Sequence, residues 1–212
     1  MTTTQFKVTN NTKGQLNNQF ILVFLTPINE SQNWLYAAWQ QLNPGEGGSQ
    51  FFTLNQDISG KMIMPNQFET NTMTIAPGYV SLYENSTASP QGQLGNPIVG
   101  SSPIVQPPTV TVQQAGIKNM TSAPAQAPYA QWLVNGNLTV QSIAPVSAGG
   151  TLSAFELDTK LYWAIGNRQV GANFKLNQVT SNTVYNLPAG TTQVDVNLTY
   201  ANNQFQFAFS GS

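Results

Sequence analysis

Two neighbouring stretches, QVDVNLTY (Gln193–Tyr200) and QFQFAF (Gln204–Phe209), alternate polar and apolar residues with a period of two. Strand side chains point to opposite faces in turn, whereas helical side chains return about every 3.6 residues. Neither stretch can bury its apolar residues together as a helix. As strands, both do so at once: Val194, Val196 and Leu198 share one face, and Phe205, Phe207 and Phe209 share another. Asp195, Asn197 and Thr199 then face the opposite way, toward solvent.

The same grammar runs back through the second half of the chain. Ala130–Val134 leads into Asn135–Gly136, a strong signal for a tight hairpin turn, and Asn137–Ala144 answers it. Strands are expected at Thr151–Leu157, Lys160–Ile165, Ala172–Val179 and Thr183–Asn186. Asp158–Thr159, Gly166–Asn167, Ala189–Gly190 and Asn202–Asn203 separate them as turns. Short strands spaced about 8–12 residues apart by turns indicate a sandwich or a barrel.

In the first half, Gln5–Thr9 reads as an edge-type strand. Gln19–Thr26 (QFILVFLT) is the most apolar run and reads as a strand buried on both faces. Residues 29–42 fit two patterns. Asn29 can cap a helix with Leu35, Ala38, Trp39 and Leu42 on one stripe, and Trp34–Gln40 can equally form a strand. Ser49–Leu54 and Lys61–Met64 read as a hairpin turning near Ile58–Gly60. Thr70–Ala76 and Tyr79–Glu84 read as two strands about the Pro77–Gly78 turn. Thr109–Gln113 (TVTVQ) alternates strictly, and Gly116–Pro128 reads as a loop.

The expected fold is therefore an all-β, antiparallel β-sandwich. A Ser-, Pro-, Gly- and Gln-rich stretch, 85–108, divides the chain. It leaves two organisations: one domain over 1–212, or halves 1–84 and 109–212 joined by that linker. A partial echo between Pro44–Ile58 and Pro145–Leu161 (Pro, Gly–Gly, then Phe–x–Leu) is compatible with two similar halves.

Composition limits the chemistry. There is no Cys and no His among the 212 residues. Thiolate nucleophiles, Ser–His–Asp triads and His- or Cys-ligated zinc are excluded. Charged residues make up 7% of the chain, against about 25% in ordinary soluble domains, so Asn, Gln, Ser and Thr must build the polar surface. Seven Lys and Arg spread along the chain form no basic stripe, and no nucleic-acid partner is expected. No apolar run reaches the length of a transmembrane segment, about 18 residues. The opening MTTTQFKVTNN has no apolar signal-peptide core, so a cytoplasmic protein, or one exported without a Sec leader, is expected.

Candidate site residues follow from these limits. An exposed aromatic ring flanked by amides is the means of holding a neutral sugar: the ring covers the apolar face and the amides bond the hydroxyls. Trp34, Trp39 and Trp132 are the candidate ligand-binding aromatics. Glu156 and Asp158 lie two apart and continue into Lys160, a row that reads as a solvated strand face more simply than as a hydrolytic carboxylate pair. Asp57 and Asp195 lack the D-x-D-x-D spacing of a calcium loop. The Gly pairs at 47–48 and 149–150 lack the following Lys–Ser/Thr of a phosphate loop. No catalytic residue, metal or cofactor is implied.

FILVFLTP, the Trp-containing LYAAWQ and the later Phe–Phe strand, together with FELDTKLYWAIGNRQVGANFKL and VNLTYANNQFQF, resemble segments of the rhizobial RhiA-type rhizosphere-expressed proteins. The resemblance covers about half the chain; Leu157 and Ile165 stand where the family pattern carries larger aromatics. It implies a small soluble bacterial β protein that is plant- or host-associated and has no established activity. The functional expectation is a non-enzymatic binding or interaction protein, directed at carbohydrate or a host surface. The alternative is a self-assembling structural protein or a host-targeted toxin of the insecticidal or pore-forming type. A low-charge surface repels copies of itself weakly, which favours self-association.

Overall fold

The computed structural model describes residues 3–28, 34–65, 69–83, 110–120, 127–147, 151–167 and 183–211. These residues are all-β. Four sheets pack in two facing pairs, giving a sandwich-type fold.

Sheet I has the strand order β16 (Gln204–Gly211), β15 (Gln193–Ala201), β1 (Thr4–Asn11), β5 (Ser49–Leu54). Sheet II runs β14 (Thr183–Asn186), β13 (Leu157–Gly166), β2 (Phe20–Pro27), β4 (Gln40–Leu42). Sheet III runs β3 (Trp34–Tyr36), β11 (Asn137–Ser142), β10 (Tyr129–Val134), β6 (Ile58–Ile63), β7 (Met73–Thr74). Sheet IV runs β12 (Thr151–Phe155), β9 (Ala115–Asn119), β8 (Val80–Tyr83). Every sheet joins strands from both sides of the 85–108 stretch, so the two sequence halves interleave. All of that stretch, the expected strand Ala172–Val179 and residues 29–33 lie outside the described residues.

Sheet I faces sheet II through aromatic rings. Phe6 stacks on Phe52 with centroids 4.7 Å apart, and Trp163 of β13 lies 5.5–6.1 Å from Phe6, Phe52, Phe207 and Phe209. Burying one Phe side chain in this way contributes ~1.5–3 kcal/mol, so this cluster is a main source of stability. Sheet III faces sheet IV through Trp132 and Phe155, stacked at 5.4 Å. Gly60 of β6 allows that approach. A Cβ there would come within 3.1 Å of Ile117 Cγ1 and 3.3 Å of Trp132 Cε3.

Chain crossings tie the two pairs together. The chain leaves sheet IV at Phe155 and enters sheet II at Leu157, and it leaves sheet I at Leu54 to enter sheet III at Ile58. Trp39, between β3 and β4, donates its indole N–H to the Val134 carbonyl at 2.8 Å and meets Phe52 edge-on at 5.4 Å.

The two stretches with the clearest alternation form strands where the pattern places them. β15 and β16 cover the two alternating stretches, and Asn135 and Gly136 take φ of 52° and 77°, both left-handed as a tight primed hairpin turn requires. β2 is buried on both faces, as expected.

Pairing partners differ from expectation in several places. β1 is not an edge strand; it lies between β15 and β5. The pairings β1/β15 and β8/β9 are parallel, so the sheets are not purely antiparallel. β5 and β6 do not form a hairpin, because each finds its partner in a different sheet. β7 pairs with β6, and β8 with β9, so no hairpin forms about Pro77–Gly78. Trp34–Gln40 is neither a helix nor one strand but two short strands, β3 and β4, in two sheets. Asp158–Thr159 is not a turn; β13 passes through it with a register irregularity before Leu161.

Val110–Gln113 of TVTVQ form no strand either. Residues 111–114 turn back through Gln114 N–H to the Thr111 carbonyl at 3.1 Å, leaving Val112 78% exposed. The strand is β9 instead, inside the expected loop. Its Gly116 has no side chain and so passes close to Val80, Val110 and Leu152.

Candidate functional site

The three candidate tryptophans are core residues. Trp34, Trp39 and Trp132 are 3%, 1% and 0% exposed. Trp39 is held by the Val134 carbonyl, and Trp132 donates to Ser153 Oγ at 3.3 Å. No ring face among them is offered to solvent, and the expectation of an exposed tryptophan platform is corrected. The reason is energetic: indoles carry large apolar area, and each of these two N–H groups finds an acceptor inside the fold.

Among the described residues the most exposed aromatic is Phe51, at 58%, ahead of Tyr79 at 41%. Its neighbour Phe52 turns inward to stack on Phe6, so the pleat sends Phe51 outward. Register then places the residues around it. Phe51 lies opposite Lys7, Lys7 beside Asp195, and Asp195 opposite Ser210. The next row is Ser49, Thr9, Asn197 and Ala208. Asn11, Thr199 and Gln206 follow.

This outer face of sheet I contains an open concavity of about 410 Å³, lined by Lys7, Thr9, Asn11, Asp195, Asn197 and Ser210 among others. Side-chain hydrogen bonds hold its floor. Asn11 Nδ2 donates to Asn197 Oδ1 at 2.7 Å, the Thr9 and Ser49 hydroxyls meet at 2.8 Å, and Gln193 Nε2 donates to Asp195 Oδ1 at 3.3 Å. Lys7 and Asp195 contribute opposite charges, so the face has no net charge. It offers hydroxyl and amide groups that both donate and accept, a single cation and a single carboxylate. That inventory suits a polyol and lacks the arrangement of an acid–base pair.

The carboxylates at 156 and 158 are placed differently. Asp158 lies 3.5 Å from the Lys160 ammonium, and its Oδ1 accepts the Lys160 N–H at 3.4 Å. Glu156 occupies the break between β12 and β13, where its carbonyl accepts Ile28 N–H at 2.9 Å. It lines a separate cleft of about 240 Å³ with Gln56, Pro77 and Val112. Asp57 accepts from Asn55 Nδ2 at 2.7 Å. Among the described residues, no three His, Cys, Asp or Glu gather as a metal site, and no helix is long and apolar enough to cross a membrane.

The sequence pattern already set Asp195, Asn197 and Thr199 on one outward face. It carried no signal that β1 would be the parallel neighbour of β15, which is what adds Lys7, Thr9, Asn11 and Phe51 to them. Compared with known proteins, the chain matches no family model, no curated protein and no solved structure.

Proposed function

We propose that this chain is a non-enzymatic binding module that holds a neutral glycan, such as one displayed on a host surface, on the outer face of sheet I. The observation that carries the reading is the row Phe51–Lys7–Asp195–Ser210, in which Lys7, Asp195 and Ser210 line an open concavity with Thr9, Asn11 and Asn197, and Phe51 stands beside it next to Lys7. Phe51 provides an apolar ring for the apolar face of a sugar, and Asn197, Thr9 and Ser210 offer hydrogen bonds to its hydroxyls. Asp195 accepts two such bonds in the manner of a charged acceptor, which makes it the strongest single polar contact. A shallow, solvent-open face of this kind binds a short oligosaccharide at about millimolar strength, ~4 kcal/mol.

The test is a glycan array probed at high protein concentration, with every bound glycan then titrated against Asp195→Asn and Phe51→Ala. Binding to neutral glycans that both substitutions weaken is the expected result. An array on which no glycan is retained, or retention untouched by both substitutions, removes the reading.

A further inference from the structure

Edge strands expose unpaired backbone N–H and C=O groups, and native proteins shield them by shortness, charge, proline, bulges or caps. Most described edges of this fold are shielded. β3, β4, β7, β8 and β14 have two to four residues each. β5 is longer, but Asn135 Nδ2 caps its Thr53 carbonyl at 2.7 Å. β16 is the exception among the terminal strands of sheet I. It has eight residues, QFQFAFSG, with no charge and no proline. It pairs in unbroken register with β15 on one side, and among the described residues nothing pairs with its other side.

A second observation lies on its inner face. Val194, Val196 and Leu198 of β15 point to the core and are fully buried. Phe205, Phe207 and Phe209 of β16 point the same way, yet all three are only half-buried. Across from them in sheet II, Tyr185 of β14 stacks on Phe209 at 4.5 Å, while Val184, opposite Tyr162, faces outward. The apolar core therefore reaches the edge of the sandwich, where, among the described residues, the three Phe rings keep part of their surface open to solvent.

We propose that β16 pairs antiparallel with β16 of a second copy of this chain. A strand paired with itself about a two-fold axis must keep Phe on the Phe face, because a slip of one residue turns every side chain over. With Phe207 on the axis, Phe205 meets Phe209 of the other copy, and Gln206 meets Ala208. The strand is thus its own complement. Neither it nor β14 carries a charge that a foreign partner could match. The contact is isologous and uses the open edge of each copy, so it closes at a dimer and does not grow into a fibre. The two four-stranded sheets become one of eight strands, with both polar outer faces on the same side. The inference stands apart from the glycan reading and is tested without any ligand.

The experiment is light scattering on the full chain across a concentration series, with wild type, Gln204→Lys/Gln206→Lys and Gln204→Glu/Gln206→Glu. The wild type is expected at twice 22.9 kDa, and each charged variant alone at a single chain mass with its melting temperature retained. An equimolar mixture of the Lys and Glu variants is expected to restore the doubled mass. That rescue separates edge pairing from damage to the fold. A wild type that stays at a single chain mass at every concentration overturns the proposal. So does a Lys variant that is folded and still dimeric, or a mixture that stays monomeric.

Discussion

The two facing pairs of sheets are held by different means. Between sheets I and II the contact is apolar, with an aromatic cluster at its centre, and the Trp163 indole N–H is buried among phenyl rings with no acceptor. Between sheets III and IV the strands are short and the contact is tied by polar bonds. Trp132 donates to Ser153 and Tyr83 Oη donates to the Gly60 carbonyl at 3.2 Å, while Asn119 Nδ2 of β9 holds the β11–β12 connection through the Val146 carbonyl at 2.7 Å. The first arrangement rests on apolar area and tolerates a missing hydrogen bond. The second needs close approach over a glycine and loses more when a single polar atom changes. The long, regular strands of sheet I also give the only described outer face with an exposed ring above ordered rows of polar groups.

The largest expected effect breaks the aromatic side. Trp163→Ala removes the ring shared by four phenylalanines and lowers stability by about 3–5 kcal/mol in chemical denaturation. A loss below ~1 kcal/mol, as for a surface site, would mean that the rings do not carry the contact between sheets I and II.

The next test belongs to the polar side. Burial pushes the Tyr83 phenol up to about 12, with a hydrogen bond from Thr70 opposing the rise. Below the unfolded value of ~10 both states keep the proton and stability is unaffected. Between the unfolded and folded values only the unfolded state ionises, so stability falls as pH rises, by about 2–3 kcal/mol once the folded value is passed. Tyr83→Phe gives up the bond to Gly60 and flattens that alkaline decline, which melting curves across the alkaline range can follow.

Close approach is tested by Gly60→Ala. The added methyl presses on Ile117 and Trp132 and is expected to cost about 1–3 kcal/mol. Adding Ile117→Val, which withdraws the Cδ1 methyl facing Gly60, recovers part of the loss; strictly additive costs would show that the two residues do not meet. The smallest effect sharpens the comparison itself. Trp132→Phe leaves Ser153 without its donor, whereas Trp163→Phe deletes an N–H that had no partner. The first is expected to be more costly by about 1 kcal/mol, although both remove the same atoms.

How much of this was legible in the sequence follows from the same physics. β2, β15, β16 and the Asn135–Gly136 hairpin were readable because period, apolar runs and turn chemistry are local. Partners were not readable. β1 and β15 are more than 180 residues apart, and nothing local marks one as the parallel neighbour of the other. β9 was missed because its burial depends on small residues at a tight crossing, while TVTVQ was overread because alternation alone does not secure a partner. The tryptophans misled because an indole serves a sugar face and a core equally well in composition. Phe51 and Phe52 are identical in sequence; only the register with Lys7 and Phe6 decides which of them faces out.

The central claim is that the outer face of sheet I is the binding face. Its most direct measurement is a backbone amide NMR titration of the chain with the strongest neutral glycan from the array, repeated with Phe51→Ala. The account predicts shift changes concentrated on β1, β5, β15 and β16, around Phe51, Lys7, Thr9, Asp195 and Asn197. It predicts binding weakened about tenfold, ~1.4 kcal/mol, by the substitution. Shift changes gathered instead at the Glu156 cleft or around β3 and β10, with the Phe51→Ala titration unchanged, would contradict it.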